Sequence, residues 1–186
     1  GRQHVAMTDC SHPRITSAAL TLALVLAGCS TAPSLVRGPG EMTGAPSRVS
    51  PQQAQDVTIA AVGLVGTPYR YGGNTPESGF DCSGLVDYVF RSEAGLQLPR
   101  TSHAIAGLDA PKVARDDLQA GDLLFFGRRH RVNHVAIYVG NGRFVNAPDK
   151  GGTVRLDHLD GYYWRDHFLF AKRVLTPRVR AALAAD

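Results

Sequence analysis

Apolar side chains recur at helical spacing in a segment that begins near residue 50. The stripe consists of Ala54, Val57, Ala61 and Leu64. Ser50 is placed as an N-cap, with Pro51 at the first helical position and Gln53 completing a capping-box arrangement. The pattern predicts that a helix opens the folded region at Ser50 and ends before Gly66.

A second helical stripe directly follows a cysteine. It consists of Leu85, Val86, Val89 and Phe90. Asp81 is the predicted N-cap and Gly95 the predicted C-cap, so Cys82 falls in the first turn. Free backbone N–H groups and the positive end of the helix dipole favour a thiolate there. A small core residue at a helix start would give the same local pattern.

The loop before this helix, residues 69–76, is rich in glycine. It lacks the lysine and the spacing of a phosphate-binding loop. We therefore expect its glycines to let the backbone approach the Cys82 helix closely.

The second half of the chain changes to strand patterns. Residues 123–126 form a short apolar run, and residues 133–139 alternate apolar and polar side chains before a turn at 140–142. Further strand candidates are 143–147, 154–156 and 168–174. Helices followed by an antiparallel sheet predict an α+β fold over residues 50–176, with 177–186 as a short, partly helical tail.

Composition supports one domain with an N-terminal extension. The 186 residues, 44% hydrophobic, suffice for one well-packed core. Residues 1–28 combine a basic residue, about a dozen mostly apolar residues and small residues before Cys29, as in an export signal. Residues 29–49 are rich in glycine, proline and serine and predict a flexible tether.

The three cysteines, Cys10, Cys29 and Cys82, have different contexts. The segment ending in Cys29 resembles the lipobox of bacterial lipoprotein precursors, which implies that Cys29 is lipidated and anchors the protein to a membrane. Ser30 after it resembles outer-membrane sorting, so we expect an envelope protein facing the periplasm. Cys82 is then the one thiol of the domain, which favours catalysis over packing.

Turn geometry decides whether His134 and Asn146 can act together. A two-residue turn at Asn141 and Gly142 would place them on opposite faces. A three-residue loop, 140–142, would pair Ala136 with Asn146 and make His134 and Asn146 diagonal neighbours, about 7 to 8 Å apart at the backbone. We predict the three-residue loop.

These residues match the parts of a thiol peptidase. Cys82 would be the nucleophile, His134 the general base and Asn146 the residue that orients the imidazole. The Cys82 backbone N–H and the hydroxyl of Tyr71 are the predicted oxyanion donors.

Charge adds little beyond one candidate binding loop. The net charge of +4 comes from scattered arginines and does not indicate a nucleic-acid partner. Arg128, Arg129 and Arg131 precede His134 and could bind carboxylates, although a solvated basic loop explains them equally well.

Four ordered motifs resemble the NlpC-type cell-wall cysteine peptidases. They are Tyr69-Arg70-Tyr71-Gly72-Gly73, Phe80-Asp81-Cys82-Ser83-Gly84, Gly121-Asp122-Leu123-Leu124-Phe125-Phe126 and the run from His134 to Gly140. The resemblance implies a papain-like fold and hydrolysis of peptidoglycan stem peptides, near D-glutamate or meso-diaminopimelate, without a cofactor. It implies that Cys82 and His134 are nucleophile and base. Asp81 could contact a substrate amine, although its capping role already explains it, and Ser83 is a further candidate substrate-binding residue. Many members have histidine where this chain has Asn146.

Other functions fit parts of the pattern. A wall-binding lipoprotein with little activity would share the fold, and so would a thiol amidase or acyltransferase. Zinc binding by Cys82, His130 and His134 is disfavoured, because paired-ligand spacing is lacking and no fourth ligand is evident.

Overall fold

The computed structural model describes residues 51–149 and 152–185. The predicted export signal, Cys29, the tether and the Ser50 cap all lie outside the described residues. Among the residues that are described, no helix has the length and apolar character needed to cross a membrane.

The described chain contains five α-helices and eight strands. The helices are α1 (Pro51–Gly63), α2 (Cys82–Ala94), α3 (Ser102–Gly107), α4 (Tyr162–His167) and α5 (Pro177–Leu183). The strands are β1 (Asn74–Thr75), β2 (Gly79–Phe80), β3 (Lys112–Val113), β4 (Leu123–Arg128), β5 (Arg131–Gly140), β6 (Arg143–Asn146), β7 (Arg155–His158) and β8 (Phe168–Lys172).

Six strands form one antiparallel sheet in the order β3-β8-β4-β5-β6-β7. The predicted α+β class is therefore confirmed. On β5, Val135 and Ile137 belong to the large core shared with α1 and α2, while Ala136 and Tyr138 belong to a second, mainly aromatic core. Since side chains alternate along a strand, the two cores lie on opposite faces of the sheet.

The β5–β6 hairpin has the predicted register but a different turn. Ile137 pairs with Val145, which places Ala136 opposite Asn146 as expected. The three-residue loop, however, is wrong: Gly140 pairs with Arg143, leaving a two-residue turn at Asn141 and Gly142 with φ of 53° and 68°. An extra residue between Tyr138 and Gly140 bulges out of β5 and restores the register that the longer loop would have given.

The predicted basic loop between β4 and β5 is also a tight hairpin. Arg128 pairs with Arg131, so the turn consists of Arg129 and His130, both with positive φ. The register then shifts, because Gly127 pairs with Val132 and Phe126 with His134. The extra residue, Asn133, therefore bulges directly before His134, and bulges of this kind re-aim neighbouring side chains.

The C-terminal segment packs on the domain. Helix α5 begins after Thr176, whose hydroxyl accepts a hydrogen bond from the Val179 N–H. Val179 is buried in the large core, and Arg178 is ion-paired with Asp109. The packed part of the domain thus continues beyond residue 176, where the sequence suggested a tail.

Candidate active site

Helix α2 starts and ends as its sequence predicts. Asp81 is the N-cap, and its carboxylate accepts a hydrogen bond of 2.7 Å from the Gly84 N–H. Gly95 closes the helix in the left-handed conformation, with φ of 62°. Cys82 is consequently the first residue of the helix.

The glycine-rich loop lies against this helix start. The Gly73 carbonyl accepts a hydrogen bond from the Asp81 N–H, and a Cβ added to Gly84 would lie 2.0 Å from the same oxygen. No side chain fits in that space, so Gly84 is required for the contact. The expectation that glycine permits a close backbone approach is confirmed at this position.

Arg100 binds the N-cap residue Asp81, a role that no sequence pattern indicates. Its guanidinium donates to both carboxylate oxygens of Asp81, at 2.8 and 2.9 Å. Gly72 N–H and the Ser83 hydroxyl also donate to that carboxylate. Burial alone would raise the pKa of Asp81, but these hydrogen bonds, that of Arg100 foremost, lower it below its ordinary value. Asp81 and Ser83 therefore already have protein partners, which accounts for them without a substrate.

Cys82 is half-buried and lines an open pocket of about 420 Å³. Tyr69, Tyr71, Arg100 and Ser102 line the same pocket. Burial raises the pKa of the Cys82 thiol, and hydrogen bonds with backbone groups, chiefly at Val135, offset part of the effect. The helix start therefore does not make Cys82 a thiolate at neutral pH, because burial has the larger effect.

Two tyrosines border Cys82 in different ways. Tyr71, the predicted oxyanion donor, is 80% exposed at the rim of the pocket. Tyr69 is partly buried, and its pKa is raised by burial and next by the negative charge that Cys82 would carry. Tyr69 and Cys82 line the same pocket. Both tyrosines belong to the glycine-rich motif, and sequence alone does not distinguish Tyr69 from Tyr71 as an oxyanion donor.

His134 is buried on β5 within the aromatic core. Its ring stacks on Trp164, with centroids 5.2 Å apart, and is tilted against Phe126. Its Nε2 lies 3.1 Å from Oδ1 of Asn146, which is fully buried on β6. Burial lowers the pKa of His134 to about 4, so the imidazole is neutral at neutral pH.

A second pocket, of about 360 Å³, opens beside the imidazole. Its lining includes His134, Asp149, Arg155, Tyr163 and Trp164. The bulged Asn133, the residue before His134, lines both this pocket and the Cys82 pocket.

The three arginines proposed for substrate binding do not line either pocket. Arg128 donates to Nε2 of His167, which lines the His134 pocket. Arg129 and Arg131 are exposed at the hairpin tip. Arg100 and Arg155 line the pockets in their place. The zinc hypothesis gains no support, since residues 51–149 and 152–185 contain no group of three His, Cys, Asp or Glu side chains that could hold a metal ion.

Comparison with known proteins gives consistent matches over this region. The model of the NlpC/P60 family matches residues 66–173. The chain is 42% identical over 117 residues to murein DD-endopeptidase MepH of Escherichia coli K12, covering 61% of this chain and 43% of that protein. It is 38% identical over 111 residues to MepS of the same strain, a murein DD-endopeptidase/murein LD-carboxypeptidase, covering 60% of this chain and 57% of that protein.

Solved structures agree with the sequence matches. An NlpC/P60 family protein from Bacillus cereus ATCC 10987 superimposes with a TM-score of 0.62 and 30% identity, covering 66% of this chain and 40% of that chain. The NlpC/p60 domain of the peptidoglycan hydrolase SagA superimposes with a TM-score of 0.57 and 31% sequence identity, covering 64% of this chain and 97% of that chain. The chain spans less than half the length of MepH and just over half that of MepS. With its papain-like α+β fold and a family match over most of its described residues, the chain belongs to the NlpC/P60 family.

Proposed function

We propose that this protein is a peptidoglycan endopeptidase that cuts amide bonds in stem peptides with Cys82 as nucleophile. The observation that carries the proposal is the His134–Asn146 hydrogen bond on β5 and β6, together with a cysteine at the start of α2 whose pocket is also lined by Asn133, the residue before His134. The substrate class is supported by the names of the relatives, several of which are murein or DL-endopeptidases.

The reaction starts from a neutral Cys82 thiol and a neutral His134 imidazole, because burial disfavours the charged form of each group. It keeps the Cys82 thiol protonated and His134 unprotonated at neutral pH. His134 therefore accepts the thiol proton as the sulfur attacks the substrate carbonyl, and it later donates that proton to the leaving amine. Asn146 fixes the ring during both transfers.

The oxyanion of the tetrahedral intermediate needs donors near the sulfur. The Cys82 backbone N–H at the helix start is one, and the phenol of Tyr69 is a better second donor than that of Tyr71, which is largely exposed. Tyr69→Phe should lower kcat by about 100-fold, since loss of one oxyanion donor typically costs 10²–10³. Tyr71→Phe, the matched control, should retain kcat; equal losses would contradict this assignment.

The direction of the substrate follows from the same roles. The acyl part stays bonded to Cys82 and occupies the pocket that contains Arg100 and Ser102. The leaving amine must be reached by His134, so the leaving residue occupies the second pocket, where Asp149 and Arg155 offer charges of both signs. Stem peptides carry both amino and carboxylate groups, and this pocket suits such a residue.

Digestion of purified muropeptides tests the activity. The unmodified protein should release new amine and carboxyl termini, identified by mass spectrometry, and Cys82→Ala should release none. Cys10→Ala is the matched control and should retain activity. Absence of new termini with the unmodified protein would favour the wall-binding alternative, and products of amidase or transfer chemistry would show a different reaction on the same fold.

We also propose that the protein is exported and lipid-anchored at Cys29, supported by the lipobox-like segment. The Ser30 that follows Cys29 suits placement at an outer membrane, facing the periplasm. Cells expressing the full chain should incorporate labelled palmitate into the unmodified protein and into Cys10→Ala, but not into Cys29→Ala. Incorporation into Cys29→Ala would exclude this site.

A further inference from the structure

Asn146 is held at both ends of its amide. Oδ1 faces Nε2 of His134 at 3.1 Å, and Nδ2 donates to Oδ2 of Asp157 at 2.9 Å. The same carboxylate oxygen accepts a 2.7 Å hydrogen bond from Nε of Arg155. His134, Asn146 and Asp157 lie on β5, β6 and β7, three neighbouring strands, so the sheet itself sets their spacing.

The Asp157 contact fixes which end of the amide faces the imidazole. A carboxylate ion-paired with arginine only accepts hydrogen bonds, so the NH₂ group must point to Asp157. The Arg155 carbonyl, 3.4 Å from Nδ2, favours the same orientation. The amide oxygen is then left for His134, whose Nε2 must donate a proton to it. The lone pair of the ring is consequently on Nδ1.

We propose that Asp157 is a positioning residue of the reaction: by orienting the Asn146 amide, it sets the His134 tautomer that leaves Nδ1 free to accept the Cys82 proton. This inference rests on the proposed function. Asn146 could also present its NH₂ group to the ring, and Nε2 would then have to accept, which would place the ring proton on Nδ1 and block it as a base.

The charges around His134 support the same role. Burial lowers the pKa of His134, while the Asn146 hydrogen bond and then the charge of Asp157 raise it; Arg155 lowers it and Asp149 raises it by smaller amounts. Asp157 thus also stabilises the imidazolium that forms when the thiol proton is transferred.

A kinetic double-mutant cycle on the full chain tests the proposal. Asp157→Ala should lower kcat about tenfold or more with little change in KM, as expected for loss of a hydrogen bond to a charged group. In an Asn146→Ala background the same change should cause a much smaller loss, because only the charge of Asp157 then acts on His134. Asp160→Ala, three residues along and 85% exposed, is the control and should retain kcat.

Asp157→Asn refines the cycle, because an amide oxygen can occupy the position of Oδ2. It should recover most of the kcat lost in Asp157→Ala. Equal losses in both Asn146 backgrounds, no loss in Asp157→Ala, or no recovery in Asp157→Asn would each overturn the proposal. Cys82→Ala, assayed in parallel, distinguishes failure of the Asp157 proposal from failure of the proposed function. Activity that persists without the thiol refutes the proposed function itself.

The tautomer provides a readout that a purely structural role would not change. Long-range ¹H–¹⁵N spectra, with His134 assigned from a His134→Gln variant, should show the Nε2–H form in the unmodified protein. Asp157→Ala should introduce the Nδ1–H form, whereas Asp160→Ala should not. An unchanged tautomer in folded Asp157→Ala, verified by its thermal melting curve, would overturn the proposal.

Discussion

Asp81 is both the ion-pair partner of Arg100 and the N-cap of α2, and the substitution Asp81→Asn tests the ion pair separately from the capping role. Asparagine is an equally good N-cap, so the bond to Gly84 can survive. Each oxygen of the Asp81 carboxylate, however, accepts from a nitrogen of Arg100 and from a backbone N–H. In either orientation of the amide, its NH₂ group must therefore face at least two donors, and the negative charge opposite Arg100 is lost.

The expected cost follows from the exposure of the pair. Breaking a fully buried pair costs about 3–5 kcal/mol. The side chain of Asp81 is 13% exposed and that of Arg100 is 39% exposed, so solvent screens part of the interaction. We therefore expect the free energy of unfolding at pH 7 to fall by about 2–3 kcal/mol.

The cost should also depend on pH. Because the pKa of Asp81 is lowered by folding, the ionised carboxylate stabilises the protein above its unfolded pKa of about 3.9. That stability is lost as the pH falls through the lower, folded-state pKa. The difference in the free energy of unfolding between the unmodified protein and Asp81→Asn should therefore reach its maximum by pH 7 and shrink in the acidic range below about pH 4.

Urea unfolding followed by circular dichroism at several pH values measures both effects. Asp116→Asn, an exposed aspartate outside this network, is the matched control and should change the unfolding free energy by less than about 0.5 kcal/mol. A loss no larger than the control, or one that does not shrink in acid, would refute the assignment of Asp81 and Arg100 as a stabilising pair.

Three further outcomes follow from the site and the core. Alkylation of Cys82 by iodoacetamide should accelerate only above about pH 8.5, with no plateau between pH 5 and 8; such a plateau would indicate a preformed thiolate. Gly84→Ala should destabilise the protein by about 2 kcal/mol in urea unfolding, whereas Gly63→Ala, where a Cβ meets nothing within 4 Å, should be neutral or stabilising. Val179→Ala should cost about 2 kcal/mol, and no loss would show that α5 is not part of the core.

Local sequence signals were sufficient for the helix that carries the nucleophile. The apolar stripe, Asp81 and Gly95 act within a few residues of one another, so spacing alone predicted α2 and its caps. The β5–β6 register was also predictable, because only one register buries Val145 opposite Ile137. The length of the β5–β6 turn was not predictable, because a bulge with a two-residue turn gives the same register as a three-residue loop.

Contacts between distant segments account for what the sequence did not predict. Arg100 reaches Asp81 across 19 positions and Arg173 reaches Asp122 across 51, and neither pair follows a periodic pattern. Trp164, which stacks on His134, lies in a six-residue helix whose short sequence has no clear stripe. The partner of Asn146 on β7 could be identified only once β6 and β7 were placed side by side.

The strand order also constrains how the chain can fold. Strand β8, the last in sequence, lies between β3 and β4, so these two strands have no contact through the sheet until β8 is inserted. Helix α2 and the β5–β6 hairpin depend on nearer contacts and can form earlier. A chain that ends before Phe168 would therefore carry His134 and Asn146 on an incomplete sheet, and its aromatic core would lack Ala171 and the packing of Phe168 against Phe126.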